Sequence, residues 1–222
     1  MREDICTIPI SEVFEPMDGC PICRMRNTLE KRMIDYIMGA AMMEPDVRLE
    51  TNKKGFCEKH FSQMAKQRGR LQLALILDTH LNEFDVSSPS KLYHMAANAQ
   101  DSCFVCEKIE WGFERLISTT HRMYETEADF RKLFDSQPEF CLPHYKILMD
   151  GCNKKTMKKY SGEFEKNLYK ITLSNIKLIN SDIKKFCSMF DYRSRDEGSD
   201  FGNSRDSIER AIKFLTSREI EI

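Results

Sequence analysis

No stretch of this 222-residue chain approaches the roughly 18 apolar residues that a membrane-crossing helix needs. The opening residues, "MREDICTIPISEVFEP", set acids beside an arginine and lack the apolar run of roughly 7–15 residues found in secretory signals. No export and no membrane association are therefore expected, and the cytoplasm is the expected location. A Ser–His–Asp setting, a Gly-rich phosphate loop and an HExxH pair are all missing, so no specific enzyme class is supported. The formal net charge is −1, which as a whole-chain figure selects no particular partner.

The balance of 41% apolar and 31% charged residues is that of an ordinary globular protein, long enough for one large core or two small ones. Against it stand nine cysteines. In a reducing compartment, paired cysteines more often mean metal than disulfides.

Six of the nine fall into a duplicated pattern. Residues 19–64, "GCPIC…GFCEKHFSQM", and 102–149, "SCFVC…EFCLPHYKILM", each begin with Cys-x-x-Cys and end with Phe-Cys-x-x-His and an aromatic residue, Phe61 or Tyr145. The spacers, 24–56 and 107–140, are 33 and 34 residues long. Two four-point patterns agreeing to one residue mark an internal repeat. The candidate ligands are Cys20, Cys23, Cys57, His60, Cys103, Cys106, Cys141 and His144.

Each half-site places two donors close enough to share one ion about 2.3 Å from sulfur, and two half-sites complete a tetrahedron. Cys₃His is a closed set suited to structural zinc, so two Zn²⁺ per chain are expected. An iron–sulfur centre is the lesser alternative. Each half-site also precedes a predicted helix, whose N-terminal partial charge favours the thiolate. Three pairings of half-sites remain open: within each repeat, nested, or cross-braced into Cys₄ plus Cys₂His₂. Pairing within repeats is favoured, because a duplicated unit that was once self-sufficient should close its own site. A helix over 24–42 would run about 28 Å, and residues 44–56, if extended, could return about 43 Å.

Hydrophobic spacing predicts an all-α fold of two pseudo-repeated helical units, each with a CxxC…CxxH site, plus a C-terminal helical segment. Leu29, Met33, Ile37 and Ala40–Ala41 form one stripe, with Pro45 as a stop. Met64, Leu71, Leu75 and Leu81 form a second, widened by Leu73, Ile76 and Leu77. Ile109, Phe113, Leu116 and Ile117 form a third. Phe164, Leu168, Ile171, Ile179, Ile183, Phe186 and Phe190 lie along a long amphipathic helix. Only "ICTIPI" (5–10) looks extended. The expected divisions are 1–18, an N-terminal extended segment; 19–86 and 91–150, the two repeats, parted by "SSPS" (87–90); 151–190, a lysine-rich helix; 191–205, a polar linker; and 206–222, a short final helix carrying Ile208, Ala211, Ile212 and Leu215.

"TIPISEVFE" (7–15), "CPIC" (20–23), "GFCEKHF" (55–61), "LALIL" (73–77) and "FCLPHY" (140–145) resemble a family of bacterial proteins classed only as a domain of unknown function. "CFVC" (103–106) lacks the proline but keeps both cysteines. The resemblance implies a cytosolic bacterial origin and an all-helical fold, and it implies no activity.

Cys6, Cys152 and Cys187 match no metal spacing and read as surplus thiols. His80, His94 and His121 lack matched partners; His80 with Asp78 and Glu83 reads as a solvated helix face or core edge rather than an acid–base group. Residues 151–190 hold nine lysines against Glu163, Glu165 and Asp182, with Tyr160, Phe164 and Tyr169 interleaved. The expected function is a non-enzymatic, zinc-stabilised interaction or scaffold module with an unidentified protein partner. The alternatives are a thiol/zinc redox sensor or oxidoreductase, and nucleic-acid binding through the lysine-rich helix.

Overall fold

A computed structural model describes residues 10–152, 157–190 and 200–219, leaving out the side chains of Met42 and Gln100. Cys6, the extended reading of 5–9 and most of the 191–205 linker lie outside the described residues. Among those described there is no strand, as expected of an all-α chain, and no helix is long and apolar enough to cross a membrane. The helices are α1 (Ile10–Phe14), α2 (Pro21–Met38), α3 (Pro45–Lys54), α4 (Glu58–Lys66), α5 (Arg70–Asn82), α6 (Pro89–Asp101), α7 (Phe104–Thr126), α8 (Ala128–Asp135), α9 (Leu142–Gly151), α10 (Ser161–Ser188) and α11 (Ser207–Thr216). Short 3₁₀ turns occupy Ala40–Met43 and Gly202–Ser204.

Several elements differ from the sequence expectation for identifiable reasons. Pro45 does end one helical pattern, but it also opens α3 at the first helical position, where its missing N–H costs nothing. The single helix expected through Met64 and Leu81 is two, parted at Gln67–Gly69. Leu71, Leu75 and Leu81 face outward, and Leu73 and Ile76 carry the buried face of α5. "SSPS" is a break that starts a helix: the Ser88 hydroxyl accepts from the Lys91 amide (3.3 Å) and caps α6.

The chain divides into two compact units, with the divisions falling inside α2, after Met25, and inside α7, after Glu114. The first holds residues 26–114. Its core joins Met33, Ile34, Ile37 and Met38 of α2 to Phe56, Met64, Leu73 and Ile76, and to Phe104, Val105 and Ile109 of α7. Burying each such side chain contributes about 1.5–3 kcal/mol.

The second unit holds residues 10–25 and 115 onward, and its core is aromatic. Phe14 meets Phe130 edge-on (5.1 Å between ring centres) and stacks on Phe134 (5.8 Å). Phe134 also stacks on Phe140 (4.8 Å), while Tyr124 meets Phe164 edge-on (4.9 Å). Such ring pairs add about 0.5–1.5 kcal/mol each beyond area burial. Along α10 the buried residues Phe164, Leu168, Thr172, Asn175 and Ile179 recur every three or four positions, and α11 packs against α9 and α10.

Candidate metal centres

Each of the four half-sites is built at a helix N-terminus in the same way. The carbonyls of Cys20, Cys57, Cys103 and Cys141 accept the first helical bonds, from Arg24, Phe61, Glu107 and Tyr145 (3.3, 3.0, 3.1 and 2.8 Å). These cysteines are therefore the capping residues of α2, α4, α7 and α9. Their partners Cys23, His60, Cys106 and His144 sit three residues on, in the first turn. Free amide groups and the positive end of a helix face each pair, which suits thiolate.

All eight candidate residues converge in two groups of four, with donor atoms within 4.8 Å of one another in each. The grouping is nested. Cys20 and Cys23 meet Cys141 and His144 in the second unit; Cys57 and His60 meet Cys103 and Cys106 in the first. This corrects the pairing favoured from the sequence. After α2 has carried the chain about 27 Å from Cys20, the return to Cys57 is not extended. Residues 45–54 coil into α3 and cover only about 15 Å, where an extended chain would cover about 33 Å, so the return toward Cys20 is much shorter than the sequence reading allowed. In the second repeat, α7 and the helical return through α8 pose the same mismatch.

Local bonds hold the observed partners together. In the first unit the Phe104 amide donates to the Gly55 carbonyl (3.0 Å) and the Ser102 hydroxyl to the Lys54 carbonyl (2.6 Å). In the second the Cys20 amide donates to the Glu139 carboxylate (3.1 Å), whose other oxygen accepts from the Asn175 side chain (2.9 Å). Gln137 donates to the Phe14 carbonyl (2.8 Å).

The separations suit one tetrahedral ion. An ion about 2.3 Å from each sulfur requires sulfurs about 3.8 Å apart. Cys23 and Cys141 are 3.6 Å apart, and Cys57 and Cys106 are 3.9 Å apart. His144 Nδ1 lies 3.1, 3.3 and 3.6 Å from Cys141, Cys23 and Cys20. His60 Nδ1 lies 3.1, 3.2 and 3.6 Å from Cys57, Cys103 and Cys106.

The electrostatics say what an ion would contribute. In the second unit, burial works against a Cys20 thiolate, but hydrogen bonds from Cys141, Cys23 and His144 lower its pKa well below the usual thiol value. The bond to Cys20 pushes Cys141 up to about 12, and bonds to Cys141 and Cys20, with burial, raise Cys23 well above the usual thiol value. In the first unit, burial is outweighed by His60 and by the Cys106 and Cys57 amides, bringing Cys103 to about 6; Cys106 is raised to about 12 by burial and by Cys103 and Cys57. In each cluster one cysteine, Cys20 or Cys103, is shifted toward the thiolate while close neighbours are shifted toward the thiol. A divalent cation offsets the repulsion and displaces the remaining thiol protons.

Glu30 was not apparent from the sequence, since it lies within a helical stripe with no motif around it. His60 Nε2–H donates to its carboxylate (3.0 Å), which turns Nδ1 toward the sulfurs, where a bound ion would take the place of its proton. Burial would raise Glu30, but His60, Lys59 and Gln63 bring it down to about 2, and His60 rises to about 9. Glu139 had a faint signal: it stands two residues before Cys141, where the first repeat has Gly55. His80, His94, His121, Cys152 and Cys187 join neither cluster. Of the aromatics interleaved with the lysines, Phe164 is fully buried and Tyr160 lies under the Arg131 guanidinium (3.8 Å), leaving Tyr169 exposed.

A family model described as "Family of unknown function (DUF6062)" matches residues 1–92 and 85–221, so each match takes in one Cys-x-x-Cys/Cys-x-x-His repeat. No curated protein and no solved structure matches the chain.

Proposed function

The chain belongs to DUF6062, a family of unknown function, and from that premise we propose that it is a zinc-stabilised, cytoplasmic helical interaction or scaffold module holding two zinc ions. The observation that carries the reading is the spacing of the donors: three sulfurs and one imidazole nitrogen within 4.8 Å, twice. Donors this close suit a single ion rather than a cluster whose ligands spread over several irons. A complete protein donor set leaves no open position for substrate, which favours structure over catalysis. Eight free cysteines among the described residues suit a reducing compartment. Exposed Leu71, Leu81, Val86 and Tyr93 supply apolar surface for a protein partner. Elemental analysis of anaerobically purified protein tests the reading: two zinc ions per chain are expected, and none, or iron with inorganic sulfide, overturns it.

A second reading, a thiol/zinc redox sensor, has one observation in its favour. Cys106 is exposed, and Cys57 and Cys103 are only half-buried. Low peroxide that oxidises Cys103 and Cys106 in step with zinc release would move this reading to first place.

A further inference from the structure

Within the first unit, a cavity of about 510 Å³ opens beside the loop that leads to Cys57. Its size is that of a small-molecule site. His80, Glu83 and Phe84 line it from the end of α5, and Met95, Asn98 and Asp101 from α6.

The His80 ring is held from three sides. Nδ1 approaches the Asn52 carbonyl at 2.6 Å, and a carbonyl only accepts, so Nδ1 carries the proton. Phe84 packs edge-on at 5.4 Å. The third wall is Gly55, at φ +61°, where a Cβ would lie 2.7 Å from Nε2. Only glycine lets the ring lie there, and only glycine adopts that backbone cheaply. In the neutral ring, Nε2 is left as an acceptor, and the described residues offer it no donor.

The charges around the cavity lean the same way. Glu83 and Asp101 have no cationic partner among the described residues. Of the two lysines on the rim, Lys54 is paired with Glu107 outside it (2.7 Å), which leaves Lys53. The site thus offers two carboxylates and an imidazole acceptor beside an apolar wall of Phe84, Met95 and Ala99.

We propose that this cavity binds a small primary amine with an apolar body, its ammonium received by Glu83, Asp101 and His80 Nε2 and its body lying on Phe84 and Met95. The ligand is an acceptor-seeking cation, distinct from any metal at the Cys/His clusters.

The test titrates benzylamine into zinc-loaded full-length protein carrying ¹³C-methyl methionine, following the Met95 methyl and the His80 Cε1–H by NMR. Saturable shifts at both are expected, with benzyl alcohol and the Glu83→Gln variant each binding about tenfold more weakly, the effect of losing one charged hydrogen bond. Tighter binding of phenylalanine than of benzylamine also supports the proposal and assigns the amine to an amino acid, with Lys53 receiving the carboxylate. Benzoate binding as tightly as benzylamine, unchanged affinity in Glu83→Gln, or no saturable shift with either amine overturns it. Glu83 is exposed at the end of α5, so its replacement leaves the fold intact.

Discussion

At one cluster Cys141 is 1% exposed and no ligand exceeds 8%; at the other Cys106 lies open to solvent and only His60 is fully buried. The same ligand set at the same helix positions has thus been placed in two environments. In the second unit all four residues of the Cys20–Cys23–Cys141–His144 group are buried, and a carboxylate, Glu139, is bonded to the Cys20 backbone. In the first unit the carboxylate, Glu30, is bonded to the ligand histidine itself, and the cysteines are half-buried or, at Cys106, exposed. Burial without open access suits a clamp that holds the fold. Exposure with a tuned imidazole suits a centre that is readily reached. Duplication therefore supplied two copies of one binding geometry, and the surroundings, not the ligands, distinguish them.

The largest effect that sharpens this comparison is on stability. Cys141→Ser should release the metal of the buried cluster and lower stability by about 4 kcal/mol or more, because a fully enclosed ligand set loses its bridging ion. Cys106→Ser should cost about 2 kcal/mol, since its neighbourhood is already solvated. Chemical denaturation paired with zinc quantification reads both. Equal losses would mean that exposure does not divide the two centres into different roles.

The next effect is kinetic. With excess EDTA, zinc should leave the Cys57–His60–Cys103–Cys106 cluster at least about tenfold faster than its counterpart, because attack on a metal–thiolate bond follows access. Timed alkylation with mass-spectrometric mapping identifies the cluster that opens. Exposed Cys187, outside both clusters, marks the rate of an unprotected thiol. Release from both clusters in a single phase would break the distinction.

How these ligands meet illustrates which features sequence can convey. The eight residues and their positions at helix starts were readable, because a metal requires particular residue types at fixed short spacing. So was the stripe of α10 through Phe164 and Leu168. The nesting was not, because it turns on α3 and α8. α3, "PDVRLETNKK", buries only Thr51; without an apolar stripe it looks like loop, and a loop would have reached. α6 is hidden for the same reason, with nearly every residue exposed. In α5 the problem is reversed: leucines stand on all sides, and spacing alone cannot tell Leu71 and Leu75, which face solvent, from Leu73 and Ile76, which face the core. Glu30 and Glu139 depend on partners far along the chain, which local pattern does not encode.

A smaller effect isolates the histidine–carboxylate pair. Glu30→Gln should weaken zinc binding at the first-unit cluster about tenfold, the low end for loss of such a partner, since the amide oxygen still accepts from Nε2–H. The buried cluster should keep its affinity. Competition with a chelating dye, resolved by alkylation mapping, measures both. A loss at both clusters would point to a general loosening of the fold rather than to tuning of His60.

The smallest effect concerns His121, a buried histidine that takes no part in either centre and lies in the second unit. Its Nε2–H donates to the Leu148 carbonyl (2.9 Å), it meets Phe164 edge-on (5.2 Å), and Nδ1 is buried with no well-formed hydrogen bond among the described residues. Burial lowers its pKa from 6.5, opposed by the Leu148 and Ile117 carbonyls, which favour the charged ring. The folded pKa thus lies below the unfolded one, so the unfolded chain takes up the proton first. Stability from the neutral ring is complete above about pH 6.5 and is lost as pH falls towards the folded value. The slope it adds is at most about 1.4 kcal/mol per pH unit. His60 shifts upward instead, so it does not contribute in this direction. Denaturation of the zinc-loaded protein between pH 7.5 and about 5.5, repeated with His121→Gln, isolates the term: the variant should be less stable at neutral pH and show a shallower decline. An identical decline in both proteins would assign the acid sensitivity to the zinc ligands and remove His121 from the account.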